Sequence, residues 1–308
     1  MMNNRPILFK TILSKLFIFI VGNILKLTPS FALRLACYIA SVVTIIFLKN
    51  KRTLLFDNLR LSFKTKSQLQ ILKLAIKTGQ RTVEQGLLSL ALPFIKASDL
   101  QKKFTITNKS LGEIRDHCEG ENGVLWLIPH FCHADALSLV PKYIGNDHEV
   151  NALYRPLKNR NLNNFIKSSR ERFGMRTIDR KNGGMLKTLK VLKKGNTLIM
   201  LFDQNAGGAG TLIDFMGRQC SCTTLPDILF DKYKPKVLFV YTRRTGFWES
   251  TIEVEAMDDL KETELVIEQA NFWLEKKLRE DQALCESWLW LHQRWKPNVG
   301  QPRKGKIR

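Results

Sequence analysis

His130 stands just past the apolar run VLWLI at 124–128, and an aspartate, Asp135, follows it five positions later. An imidazole takes and returns a proton near neutral pH. A carboxylate bound to one ring nitrogen fixes the tautomer and leaves the other nitrogen free as a base. On one continuous helix the two residues would lie about 140° apart. The pairing therefore requires His130 in a strand-to-helix loop and Asp135 in the first helical turn, where an acidic residue also suits the positive end of the helix dipole. No serine or cysteine with the geometry of a nucleophile elbow accompanies the pair, so the attacking group is expected to come from the substrate, as in transfer of a group to a hydroxyl. Cys132 is expected to turn away as the loop becomes helix, and His133 reads as a helix-start residue.

Other polar residues occupy equivalent places. Arg155 follows VNALY at 150–154, and Asp203, Gln204 and Asn205 follow TLIML at 197–201. Asp203 reads as an exposed carboxylate able to position an acceptor or orient Arg170. The run AGGAG at 206–210 lacks the G-K-[ST] ending of a nucleotide loop and reads as a flexible loop near the acceptor. The six cysteines have no framework spacing, so reduced thiols are expected. Cys220 and Cys222 lack the second Cys/His pair that a zinc site needs, so no metal is expected.

These residues need elements to hold them. Further apolar runs, VLFVY at 237–241 and TIEVE at 251–255, alternate with helix-length stretches at about 133–143, 159–173, 182–194, 223–233 and 261–280. Such alternation predicts an α/β fold, a central mixed sheet flanked by helices. Ligands then gather at the carboxyl ends of the strands, where the polar residues above lie. Residues 53–92 read as one long helix closed by Pro93. Ahead of it lie two apolar segments, 7–27, interrupted by lysines, and 35–48, followed by Lys49, Lys51 and Arg52. Neither is a clean span of about twenty residues. They are expected to form a membrane-associated helical segment, spanning or interfacial, with a buried core helix as the alternative for 35–48.

The chain of 308 residues has 49 Lys and Arg against 28 Asp and Glu, a net charge of +21. The partners should be anionic. Zinc-finger spacing, an RNP-like strand and a helix-turn-helix are all missing, so nucleic acid is not expected as a partner. Trp288, Trp290 and Trp295 read equally well as interfacial anchors or as packing beneath the domain.

The ordered motifs resemble the bacterial lipid A late acyltransferases, the lauroyl and myristoyl transferases of lipopolysaccharide biosynthesis. His130 and Asp135 fit the H-x4-E/D mark of that family. The resemblance continues through Tyr154-Arg155-Pro156, Arg170, Asp179-Arg180-Lys181, Asp203-Gln204-Asn205, Phe215, Gly217, Thr223-Thr224 and Arg243. Upstream, Arg52, Asn58, Leu59 and Phe63 fit another of its segments. Lipid A lauroyl transferases commonly carry Glu where this chain has Asp135, one methylene shorter. The resemblance implies a glycerolipid-acyltransferase-like fold, with a membrane-anchoring segment at 1–50, an acyltransferase domain at 51–296 and a basic tail at 297–308. It implies acyl transfer from acyl carrier protein, with acyl-CoA as the alternative donor and without a cofactor, to a hydroxyl of a phosphorylated glycolipid, on the cytoplasmic face of the inner membrane and in contact with anionic lipid. His130 and Asp135 would be catalytic. Arg170 and then Arg155 would be the phosphate forks, with Asp203 and Gln204 also at the substrate. An acyltransferase for another phospholipid or glycolipid, or a basic nucleic-acid or membrane-surface binding protein, are the competing readings.

Overall fold

The computed structural model describes residues 5–118, 122–145, 148–181, 183–257 and 264–296. The basic tail at 297–308 lies outside them. Four helices come first: α1 (Arg5–Leu27), α2 (Ser30–Phe47), α3 (Lys49–Ser62) and α4 (Gln68–Ala91). The single helix expected over 53–92 is thus divided. Its break is a capping box, in which Ser67 Oγ accepts from Gln70 N (3.3 Å) and Gln70 Oε1 accepts from Ser67 N (2.7 Å). The helix α2 crosses α4 closely because Gly79 has no side chain: a Cβ there would lie 2.1 Å from Ser41 Oγ. Ser41 uses that proximity to donate to Ile76 O at 2.8 Å.

The rest of the chain runs α5 (Ala97–Lys103), β1 (Phe104–Ile106), α6 (Asn108–Cys118), β2 (Val124–Ile128), α7 (Pro141–Ile144), β3 (Val150–Tyr154), α8 (Arg160–Glu171) and β4 (Arg176–Asp179). It continues through α9 (Gly184–Lys193), β5 (Thr197–Leu201), a hairpin of β6 (Thr211–Phe215) and β7 (Arg218–Cys222), and α10 (Leu225–Tyr233). It closes with β8 (Lys236–Gly246), β9 (Glu249–Ala256), α11 (Val266–Glu280) and α12 (Gln282–Ser287). The seven-stranded sheet has the order β1-β9-β8-β2-β5-β3-β4. Only the β8–β9 pairing is antiparallel. This is the mixed α/β sheet flanked by helices that the alternation predicts.

Every residue of β2 is buried, which explains its unbroken apolar run. Val124, Trp126 and Ile128 face one side, with Ile114 of α6 and Leu137 and Val140 of the turn before α7. Leu125 and Leu127 face the other, joined by side chains from α3, α4, α9, α10, α11 and α12. The segment expected as a helix at 133–143 is instead a 3-10 turn, Ala134–Leu139, followed by the one-turn α7.

Candidate active site

β2 and β5 are parallel neighbours, and Ile128 pairs with Leu201 at their carboxyl ends. His130 and Asp203 each lie two residues past that pair. In-register strands carry them out side by side, because each residue advances both chains by the same rise. The His130 Nδ1–H donates to Asp203 Oδ1 at 2.6 Å, and His130 N–H donates to Asp203 Oδ2 at 2.8 Å. Trp288 Nε1–H donates to the same Oδ2 at 2.7 Å. Burial alone would raise the Asp203 carboxyl. The nearby imidazole and these three donors outweigh it and bring the carboxyl down to about 2. Asp203 is 2% exposed, not the exposed carboxylate that the sequence suggests. A buried anion fixed on Nδ1 leaves His130 Nε2 as the basic atom.

The loop that carries Asp203 is pinned from below by the C-terminal segment. Trp288 holds Asp203, Arg294 Nη1 donates to Gln204 O at 2.7 Å, and His292 Nε2 accepts from Asn205 N at 3.0 Å. Asn58 Nδ2 in turn donates to Trp290 O and His292 O, tying that segment to α3. Trp288, Trp290 and Arg294 are buried, so of the two readings of the tryptophans, packing beneath the domain is the observed one.

Asp135 makes no hydrogen bond to His130. Its Oδ1 accepts from Arg170 Nε (3.1 Å) and Nη2 (2.9 Å), and its Oδ2 accepts from Ser89 Oγ (2.6 Å) and Gln85 Nε2 (3.0 Å). The displacement has a local cause: His133 adopts a left-handed φ of 70°, which turns the chain before Asp135 enters its 3-10 turn. Burial would raise the Asp135 carboxyl. The Arg170 charge, with the Ser89 and Arg170 hydrogen bonds, lowers it instead. Arg170, the first expected phosphate fork, therefore has two of its guanidinium nitrogens committed to a carboxylate of its own chain.

His130, Asp135, Arg170, Arg155 and Gln204 all line one cavity of about 860 Å³ at the carboxyl ends of β2, β3, β4 and β5. Gln204 Nε2 donates to His130 Nε2 at 3.1 Å. Arg155 follows β3 and Arg180 follows β4, where Tyr154 pairs with Asp179. Arg180 N donates to Tyr154 O at 3.0 Å, so the two arginines leave adjacent strand ends, and both line the cavity. Among the described residues neither forms an ion pair, and Asp135 is the only carboxylate among those lining the cavity. Apolar walls come from both faces of the sheet, Leu137 and Ile199 on one and Leu225 and Ile228 on the other.

Cys132 and His133 serve a separate buried centre. Glu84 on α4 accepts from Arg81, from Arg244, from His133 Nε2 (3.1 Å) and from Trp248 N. Burial would raise the Glu84 carboxyl, but His133 and Arg244 bring it to about 2. His133 Nδ1 accepts from the Ser250 hydroxyl at 2.7 Å, and burial first of all depresses its basicity. The Cys132 thiol is pushed well above its ordinary value by burial. Glu84, Cys132 and His133 could each offer a ligand atom within 4.8 Å of the others. Two guanidiniums already neutralise Glu84 and the thiol holds its proton, a donor set unsuited to a cation. The same protonated, buried thiol is no nucleophile.

A histidine fixed through Nδ1 at a large, partly apolar cavity, beside a loop locked in place and with no hydroxyl or thiol of the described residues hydrogen-bonded to it, is an arrangement able to assist transfer of a group to a hydroxyl of a substrate. The family model described as bacterial lipid A biosynthesis acyltransferase matches residues 7–297, and the chain belongs to that family: it is an acyltransferase. No curated protein matches the sequence.

Proposed function

We propose that this acyltransferase moves a fatty acyl chain from the thioester of acyl carrier protein to a hydroxyl of a phosphorylated lipid A precursor, with His130 as general base. The observation that carries the reading is the His130 imidazole at the cavity wall, bound through Nδ1 to buried Asp203, with Nε2 met only by the exposed Gln204 amide among the described residues. His130 Nε2 takes the proton of the acceptor hydroxyl as its oxygen attacks the thioester carbonyl. The carbon–sulfur bond then breaks, and the imidazolium returns the proton to the departing thiolate. Asp203 holds the tautomer and supports the positive ring. Asp135 acts at one remove, balancing and orienting Arg170 at the cavity wall.

The acceptor phosphate falls to Arg155 and Arg180, which form no ion pair among the described residues, with Arg170 behind them. The net charge of +21 favours an acidic carrier protein as donor. α2 is long and apolar enough to cross a membrane, and only 17% of it is buried. Phe17, Leu27, Phe31 and Phe47 on α1 and α2 are each more than 60% exposed. Arg52 Nη1 caps the end of α2 by donating to Ile46 O at 3.3 Å, placing cations beside the apolar helices. These features support attachment to the inner membrane with the sheet on its cytoplasmic face, in contact with anionic lipid.

The test is a transfer assay with purified protein, acyl carrier protein thioesters of several chain lengths and tetra-acylated lipid A precursor. Mass spectrometry of the lipids of cells lacking the protein runs beside it. Acylated precursor in the first, and lipid A short of one chain in the second, are expected. An unchanged lipid A with an altered phospholipid would overturn the acceptor.

A further inference from the structure

Acyl transfer needs more than a base. As the hydroxyl attacks, the thioester oxygen becomes an oxyanion, and a fixed donor must meet it. The backbone N–H groups of the two loops that carry His130 and Asp203 are mostly spoken for. His130 N donates to Asp203, Asn205 N to His292, Ala206 N to Ser221 O, and Gly207 N to Asn205 Oδ1. Arg170 donates through Nε and Nη2 to Asp135. The Gln204 side chain is different. Its amide is exposed to the cavity and sits 3.1 Å from the basic nitrogen itself.

We infer that Gln204 is a further catalytic residue, whose side-chain amide donates to the oxyanion of the tetrahedral intermediate. The inference rests on the acyl-transfer reading above. Before substrate enters, the amide caps the lone pair of His130 Nε2. An acceptor hydroxyl that docks on Nε2 displaces the cap, which leaves a Gln204 N–H about one hydrogen bond's length from the reacting carbon's oxygen. When the oxygen–carbon bond forms, the proton passes to His130 Nε2 and the carbonyl electron pair moves onto oxygen, where Gln204 donates. When the pair returns, the carbon–sulfur bond breaks and the thiolate takes the proton from His130.

The backbone makes this donor rigid without using its side chain. Arg294, fully buried, holds Gln204 O, and it is itself held by Asn271 Oδ1, Ser221 O and Cys222 Sγ. The residues before and after Gln204 are fixed by Trp288 and His292. A donor fixed before the reaction needs no reorganisation in the transition state, which is why such groups are worth so much. None of these anchors involves the Gln204 amide, so Gln204→Ala should fold as the parent does.

The experiment measures wild type, Gln204→Ala, Gln204→Glu and His130→Ala with acyl carrier protein thioesters and tetra-acylated lipid A precursor. Acceptor-free thioester hydrolysis is followed in parallel. Gln204→Ala is expected to lower kcat for transfer and for hydrolysis alike by about 10²- to 10³-fold, with the KM of donor and acceptor unchanged. Gln204→Glu, of equal shape but without an N–H, should be at least as slow. An unchanged kcat in Gln204→Ala would make the amide a mere cap on the imidazole. A raised acceptor KM at normal kcat would make it a binding contact. Either overturns the inference. Full turnover in His130→Ala would instead overturn the acyl-transfer mechanism beneath it, so the two failures are distinguishable.

Discussion

Asp203→Asn tests which carboxylate serves the histidine, and its outcome follows from counting donors. Asp203 Oδ2 accepts from His130 N–H and from Trp288 Nε1–H, both of which can only donate. The amide of asparagine must keep its oxygen there and turn its NH₂ toward His130 Nδ1. The imidazole can then hydrogen-bond only by moving its proton to Nε2, the atom that has to act as base. Shape is preserved and the tautomer is inverted. The loss expected for that inversion in a histidine–carboxylate site is about 10⁴-fold in kcat. At fixed donor and acceptor concentrations the assay follows transfer by mass spectrometry, with folding checked by thermal unfolding. Asp135→Asn provides the contrast. Arg170 donates twice to Asp135 Oδ1, and Ser89 and Gln85 donate to Oδ2. An asparagine keeps its oxygen on Arg170 but sets its NH₂ against the Gln85 NH₂ and leaves the guanidinium without a counter-charge, and losing a charge-assisted bond of this kind costs about 1.5 to 3 kcal/mol. Both substitutions remove a carboxylate charge that its partners stabilise and should lower the melting temperature, but only Asp203→Asn should also invert the tautomer, so the large loss of turnover belongs to Asp203→Asn. If Asp203→Asn kept more than a tenth of its activity while a stably folded Asp135→Asn lost all of it, the orienting role would return to Asp135.

Three further outcomes are expected. Trp288→Phe keeps the aromatic packing but withdraws one donor from Asp203, so kcat should fall by about tenfold, near the lower end for a hydrogen bond to a charge; an unchanged kcat would show that two donors suffice. Arg155→Ala and Arg180→Ala should each raise the KM for a phosphorylated acceptor by about tenfold, with no effect on a dephosphorylated one, and equal effects on both acceptors would remove these arginines from the phosphate. Glu84 and Asp203 have folded values of about 2, below their ordinary 4.5 and 3.8, so their contribution is complete above those ordinary values and disappears as pH falls through about 2. Denaturant unfolding across that window should show stability declining with acid, by about 2 to 3 kcal/mol for each group, and a flat profile would contradict the two buried ion networks.

Much of this arrangement was legible in the sequence. The apolar runs at 124–128, 150–154 and 197–201 are strands with those bounds; β2 and β5, central parallel strands buried almost throughout, leave continuous apolar signatures, and β3, buried only at Val150 and Asn151, leaves a broken one. The short β4 (RTID) and the hairpin of β6 and β7 left no such trace. β4 is an edge strand with one residue of four buried, and the hairpin stands outside the main sheet. The break between α3 and α4 was written in the Ser67/Gln70 spacing, yet the helical periodicity on both sides masked it.

The site was half legible, and the missing half shows why spacing misleads. His130 and Asp135 are five residues apart and His130 and Asp203 are 73 apart, yet the distant pair forms the hydrogen bond. The deciding signal was an offset. His130 is two residues past VLWLI and Asp203 is two residues past TLIML, so parallel pairing of those runs in register was sufficient to join them. What the sequence alone did not supply was the pairing of β2 with β5, strands separated in the chain by β3 and β4. That crossover explains Arg155 and Arg180 as well, since placing β3 beyond β5 sets both arginines across the cavity from His130. The H-x4-D spacing then acquires a different physical meaning: five residues are the distance needed for the chain to leave the strand, turn at His133 and reach the Arg170 guanidinium. On that argument the longer acid in Asp135→Glu would crowd Arg170, Ser89 and Gln85 rather than the imidazole, and its effect should appear at the cavity wall, in the acceptor KM, before it appears in kcat.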